Sequence, residues 1–158
     1  GILKEISAKF PGLLLWSDTG TYFCQKTLEN LPELLKSFDG LISPISHDKM
    51  PRWTHPGVYK YFKDDGKKYD NVTNCSTGAV FLDTNKTQHI IDKLYKSPQR
   101  SSRKNHRQEQ AIFTYFVTND NRKCNMDAMD LDIVYHEFDR LCDGENYIEQ
   151  LVKPLNQS

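Results

Sequence analysis

The chain has 158 residues, 37% apolar and 11% aromatic, which is enough to bury one core and too apolar for a disordered segment. Lysine plus arginine (21) balances aspartate plus glutamate (21), so the net charge is zero and excludes an electrostatic footprint for nucleic acid or an anionic membrane. No window approaches the roughly 18 apolar residues of a membrane span, and no charged-then-apolar leader opens the chain, so any signal peptide or anchor is expected outside it.

Ile2, Leu3 and Ile6 recur at helical spacing and predict a helix over Ile2–Lys9, stopped by Phe10-Pro11-Gly12. Leu13-Leu14-Leu15-Trp16 is wholly apolar, the pattern of a central strand buried on both faces, and Ser17-Asp18-Thr19-Gly20 is the polar turn after it. An amphipathic helix follows over Leu28–Phe38 with Pro32 expected near its first turn, and Asp39-Gly40 introduces a second strand at Leu41–Ile45. From Ser46 to Asn74 the chain reads as a loop dotted with Trp53, Tyr59, Tyr61, Phe62 and Tyr69, with a short helix from Pro56. Loops this long inside a domain are usually functional. Ala79–Leu82 is the third strand, and Asp83 or Thr84 caps a helix that runs to Lys96. A basic loop leads to a helix over Arg107–Val117, Leu131–Tyr135 alternates as a last strand, and Glu145–Val152 is expected to close the chain as a helix. Strands alternating with helices predict one α/β domain over residues 1–158, with a mostly parallel, mixed sheet flanked by helices.

The four cysteines, Cys24, Cys75, Cys124 and Cys142, form no C-x-x-C pair, which argues against a zinc ribbon or a thioredoxin-type site. Their even number permits two disulfides in any of three pairings. Three N-x-[ST] sequons crowd one stretch, at Asn71-Val-Thr73, Asn74-Cys-Ser76 and Asn85-Lys-Thr87. Together with the cysteines they point to a glycoprotein of the secretory pathway, in the Golgi lumen or outside the cell; the alternative is a cytosolic protein with four buried thiols.

Three segments are candidates for chemistry. A carboxylate directly after a buried parallel strand lies at the carboxyl edge of the sheet, where open α/β folds bind ligands, and this singles out Asp18; the plainer reading is a turn aspartate. Asn74-Cys75-Ser76-Thr77-Gly78 feeds small polar residues and a glycine into the strand Ala79–Leu82, so a ligand can approach the backbone closely. His106-Arg107-Gln108-Glu109-Gln110 opens an amphipathic helix and can hold Glu109 and Gln110 over a pocket. Trp53, Tyr59 and Tyr61 offer rings for a sugar or form a satellite core under the loop. Arg100, Arg103, Lys104 and Arg107 can neutralise a diphosphate or simply stay solvated. His47, His55, His106 and His136 show no i, i+4 pairing of a helical metal site.

In this order the motifs resemble the glycosyltransferase-A fold, in particular the glycogenin-like and galactinol-synthase-like retaining transferases. Those proteins run an apolar strand into Asp-x-Asp, then a segment like Phe-Asn-Ser-Gly-Val, then Asp-Gln opening a helix; the counterparts here are Asp18, Asn74 to Val80, and Glu109-Gln110. Pro51-Arg52-Trp53-Thr54-His55-Pro56-Gly57 and Ser101 to Gln108 also resemble a eukaryotic family of uncharacterised activity related to these transferases. The resemblance covers Leu13 to Val117. It implies transfer of a sugar from a nucleotide-sugar donor to a carbohydrate or protein acceptor. It places Asp18, Glu109 and Gln110 in catalytic positions, with Asp83 near the reacting sugar. It puts Asn74, Ser76, Gly78, Trp53, His55 and Arg107 on the substrate, and Asp18 and His136 on a Mn²⁺ or Mg²⁺. Two departures stand out. Gly20 occupies the place of the motif's second acid and removes a hard oxygen ligand. Only twelve residues precede Leu13, so the nucleotide-binding front is expected to be largely missing and the chain to be the C-terminal portion of a larger domain. The alternative is a non-catalytic secreted binding module that keeps part of the transferase fold, or a small structural domain stapled by disulfides.

Overall fold

The structure of the chain, a computed structural model, describes residues 2–97, 108–124, 133–135, 141–142 and 145–146. Helix α1 (Ile2–Lys9) leads through Gly12 into β1 (Leu13–Ser17), followed by the short β2 (Thr21–Phe23) and helix α2 (Gln25–Ser37). Next come β3 (Leu41–Ile42), β4 (Ile45–Lys49), the short helices α3 (Met50–Trp53) and α4 (Pro56–Tyr61), and a 3₁₀ turn at Lys67–Tyr69. Strands β5 (Thr73–Cys75) and β6 (Ala79–Asp83) precede the long helices α5 (Thr84–Lys96) and α6 (Gln108–Asn119), with β7 (Ile133–Tyr135), β8 (Leu141–Cys142) and β9 (Glu145–Asn146) after them.

The domain is α/β, but its strands do not pair as expected. Sheet order is β1-β6-β3, with three further strand pairs, and every pairing among the described residues is antiparallel. The expected parallel sheet is therefore not what forms. The misleading signal was the alternation of strands with helices, which does not fix strand direction; the apolar run of β6 has a different cause. Val80 and Leu82 enter one core cluster with Ile90, Ile91, Ile112 and Phe113, while Ala79 and Phe81 enter a second with Leu31, Leu35 and Ile42. Both faces of β6 are covered, which forces apolar residues at every position whatever direction its neighbours run. Strand β1, expected to be central, is the edge of that sheet: Leu13 and Trp16 are 53% and 42% exposed.

Other boundaries move for local reasons. Helix α2 begins earlier than expected, so Pro32 falls inside it; the carbonyl its missing N–H leaves unpaired is that of Leu28, an exposed residue. The expected strand Leu41–Ile45 breaks at Ser43-Pro44 into β3 and β4, which join different sheets. Glu145 starts not a helix but β9, paired with β8; the rest of the expected closing helix, and Leu131–Asp132 of the expected last strand, lie outside the described residues.

The segment from Ser46 to Asn74 is structured rather than a loop. Strand β4 pairs with β5, and Tyr59, Phe62 and Tyr69 join the core cluster that includes α6, while Tyr61 stays exposed. Phe62 stacks on Tyr115 at 4.2 Å between centroids and Tyr59 on Tyr69 at 5.6 Å. Gly66 makes this approach possible: its φ is +79°, and a Cβ there would come within 2.9 Å of the Tyr59 ring. Helix α6 is buried on every side from Ala111 to Val117, the signature of a central core helix. A disulfide between Cys75 in β5 and Cys124 beyond α6 ties the two together, Cα to Cα 5.2 Å; Cys24 is disulfide-bonded as well. No described helix is long and apolar enough to cross a membrane.

Candidate functional site

A cavity of about 630 Å³ opens between α1, the Val80–Leu82 face of β6, α5 and α6. Its floor is apolar, with Leu82, Ile90, Ile91 and Ile112 among the residues that line it, and its polar margin includes Asp18, Thr77 and Glu109. Trp16 and Tyr95, both partly exposed, contribute rings, and the Lys4 ammonium lies 4.5 Å from the Tyr95 centroid.

Antiparallel pairing of β1 with β6 builds this margin. Ser17 sits opposite Ala79, so the exit of β1 lies beside the entry of β6. The Asp18 N–H donates to the Gly78 carbonyl at 2.9 Å, and the Thr21 hydroxyl reaches the same carbonyl at 3.3 Å. The Asp18 carbonyl in turn accepts from the Thr21 N–H at 3.2 Å, which closes the turn and leaves the exposed Asp18 carboxylate on the cavity. Glu109 comes from the first turn of α6, where the helix dipole favours a carboxylate. Two of the three proposed catalytic residues, Asp18 and Glu109, thus share one cavity, together with Thr77 from the middle motif.

The remaining candidates have other surroundings. Asn74 is fully buried between β4 and α6, and its Nδ2 donates to the Asp48 carbonyl at 3.2 Å. Gln110 is half-buried, its carbonyl taken by the Thr114 hydroxyl. Ser76 accepts from the Gly78 N–H and gives its carbonyl to Ser43, so it shapes the loop that carries Thr77 and Gly78. His55 caps α4, its Nδ1 accepting from the Gly57 N–H at 3.0 Å. Trp53 ends α3 with the Arg52 guanidinium over its ring, and Tyr59 packs against the main core cluster. Asp83 caps α5 at the far end of β6 and is not among the cavity residues. Arg100, Arg103, Lys104, His106, Arg107 and His136 lie outside the described residues.

Sequence reasoning missed Trp16, Tyr95 and Lys4. Trp16 had a visible signal, a large aromatic two residues before Asp18; Tyr95 and Lys4 are far apart in sequence and meet only because α1 packs on α5.

Of the two expected metal ligands, Asp18 lines the cavity and His136 lies outside the described residues. No group of three or more His, Cys, Asp or Glu converges among them, and the position of the motif's second acid is a glycine at φ +89°. A carboxylate residue there would be strained in that turn. No family model, curated protein or solved structure matches the chain.

Proposed function

We propose that the chain is a glycosyltransferase-like domain of an oxidising compartment, in the secretory pathway or outside the cell, which receives the sugar of a nucleotide-sugar donor in the cavity between β6, α5 and α6. The observation that carries this reading is the convergence of Asp18, Thr77 and Glu109, one residue from each of the three motifs, on one cavity with aromatic margins. Carboxylates accept hydrogen bonds from sugar hydroxyls, and the rings of Trp16 and Tyr95 suit the apolar face of a pyranose. Lys4 is the cation among the described lining residues and the group available to a leaving diphosphate. The Cys75–Cys124 disulfide supports the compartment, since such bonds persist where thiols are not kept reduced.

Gly20 favours a second reading, a module that binds a saccharide without transferring it, because the turn that presents Asp18 has no place for the second acid. Calorimetry on the protein separates the two. It is titrated with a panel of nucleoside-diphosphate sugars, with and without Mn²⁺, and with the corresponding free oligosaccharides. A transferase binds donors, and Asp18→Asn or Glu109→Gln weakens that binding by about tenfold each, the loss of one charge-assisted hydrogen bond. Binding of free oligosaccharides alone supports the module. Indifference to every donor and every oligosaccharide sinks both.

A further inference from the structure

Three N-glycosylation sequons lie in the described part of the chain, and their surroundings differ enough to rank them. We propose that Asn71 is the residue that carries the glycan and that Asn74 and Asn85 do not; this rests on the oxidising-compartment reading. Asn71 sits in an exposed turn just ahead of β5, and its Oδ1 faces solvent with only the flexible Lys49 ammonium on it at 3.1 Å. A surface loop of this kind is where an acceptor asparagine belongs.

The other two sequons are closed by the fold. Asn74 has no exposed surface, and its Nδ2, the atom that would bear the sugar, donates inward to the Asp48 carbonyl at 3.2 Å. Its neighbour Cys75 is in a disulfide, and the Cys75 N–H is bound to the buried Thr114 hydroxyl. An oligosaccharide on Asn74 would have to pass through the packed β4–β5 layer, so a chain modified there cannot close this fold. Asn85 is exposed but lies in the first turn of α5, its N–H held by the Asp83 carboxylate at 3.0 Å. The hydroxyl that completes its sequon, on Thr87, is fully buried and donated to the Asp83 carbonyl at 2.8 Å.

The donor is a lipid-diphosphate-linked oligosaccharide, supplied with a transferase by the compartment. Nδ2 of Asn71 forms the bond to the anomeric carbon, and the bond from that carbon to the diphosphate oxygen breaks. The lipid diphosphate leaves with the electron pair, and the lost Nδ2 proton passes to the transferase's base; nothing is oxidised or reduced.

The test is occupancy mapping on the protein expressed through a eukaryotic secretory pathway. An amidase that converts each glycosylated asparagine to aspartate is followed by peptide fragmentation. The expected result is conversion at Asn71 with Asn74 and Asn85 unchanged. Thr73→Ala should abolish the glycan and Thr73→Ser retain it, a contrast that a fold defect does not produce. An unconverted Asn71, or conversion at Asn74 or Asn85 equal to that at Asn71, overturns the proposal. The same digest reads the Cys75–Cys124 link. Linked cysteines with an empty Asn71 remove this inference alone, whereas free thiols remove the compartment reading with it.

Discussion

Thr114 is fully buried in α6, and its hydroxyl serves two partners. It accepts from the Cys75 N–H at 2.9 Å and donates to the Gln110 carbonyl at 2.7 Å. The bond to Cys75 satisfies a backbone donor of β5 on the side facing the helix. Thr114→Val keeps the shape and strands that N–H in the core. The expected loss is about 1–3 kcal/mol, the desolvation cost of an unpaired buried donor, read as a lower urea midpoint at unchanged slope. Thr114→Ser should recover most of it; a Val variant as stable as the parent would show the hydroxyl to be idle. In sequence Thr114 is an unremarkable polar residue in a helical pattern, because its partner lies across the fold. The surroundings of Asn74 and His55 are hidden in the sequence for the same reason. Their residue types suit ligand contacts, and only their neighbours show that one spans two strands and the other caps a helix.

At the scale of elements, charged groups pin α5 and the end of α6 to the turn after α2. The Asp39 carboxylate lies between the Lys86 ammonium at 3.2 Å and the Arg122 guanidinium at 2.9 Å, and Arg122 also pairs with Asp120. The Lys86 hydrogen bond first, then the charge of Arg122, holds the Asp39 carboxyl below its ordinary 3.8. Asp64, bonded by the Gly66 N–H and then by Lys68, is lowered too. His89 on α5 meets Asp120 at 2.7 Å, a contact that by itself favours the imidazolium, as does the nearby Asp92. Desolvation, joined by the charges of Lys93 and Arg122, outweighs the charge of Asp92 and lowers the imidazole below 6.5. The signs follow from proton uptake. Each of these groups binds its proton more readily in the unfolded chain, so stability falls as pH falls. Unfolding followed against pH should show a first loss below 6.5, from His89, and a second below 3.8, from Asp39 and Asp64. His89→Asn should flatten the first step and leave the second; a first step unaltered by that change would reassign it to another group.

For the whole molecule, the Cys75–Cys124 disulfide spans 49 positions of sequence and joins a strand of the middle segment to the end of the central helix. Closing a loop of that length removes unfolded-chain entropy worth about 4 kcal/mol in the chain-entropy treatment. The double variant Cys75→Ala/Cys124→Ala is expected to lose about 2–4 kcal/mol, with a lower melting temperature under non-reducing conditions. A double variant that melts with the parent would mean that packing of Tyr69, Phe62 and Tyr115 alone holds the middle segment.

Local chemistry alone determined the helices α1, α5 and α6, the apolar strands at Leu13–Trp16 and Ala79–Leu82, the Asp83 cap and the even cysteine count, because spacing, capping and composition act over a few residues. Asp18 and Glu109 line one cavity, and the order of the motifs is the signal in the sequence that links them. Tertiary structure decided the direction of the strands. An apolar run reports that both faces of β6 are covered, but the direction of pairing depends on β1 and β3, which reach it from distant parts of the chain. It also decided which polar residues meet solvent. Asn71 and Asn74 are three positions apart in the same kind of sequon, and only the packing of β5 against β4 and α6 leaves one outside and buries the other.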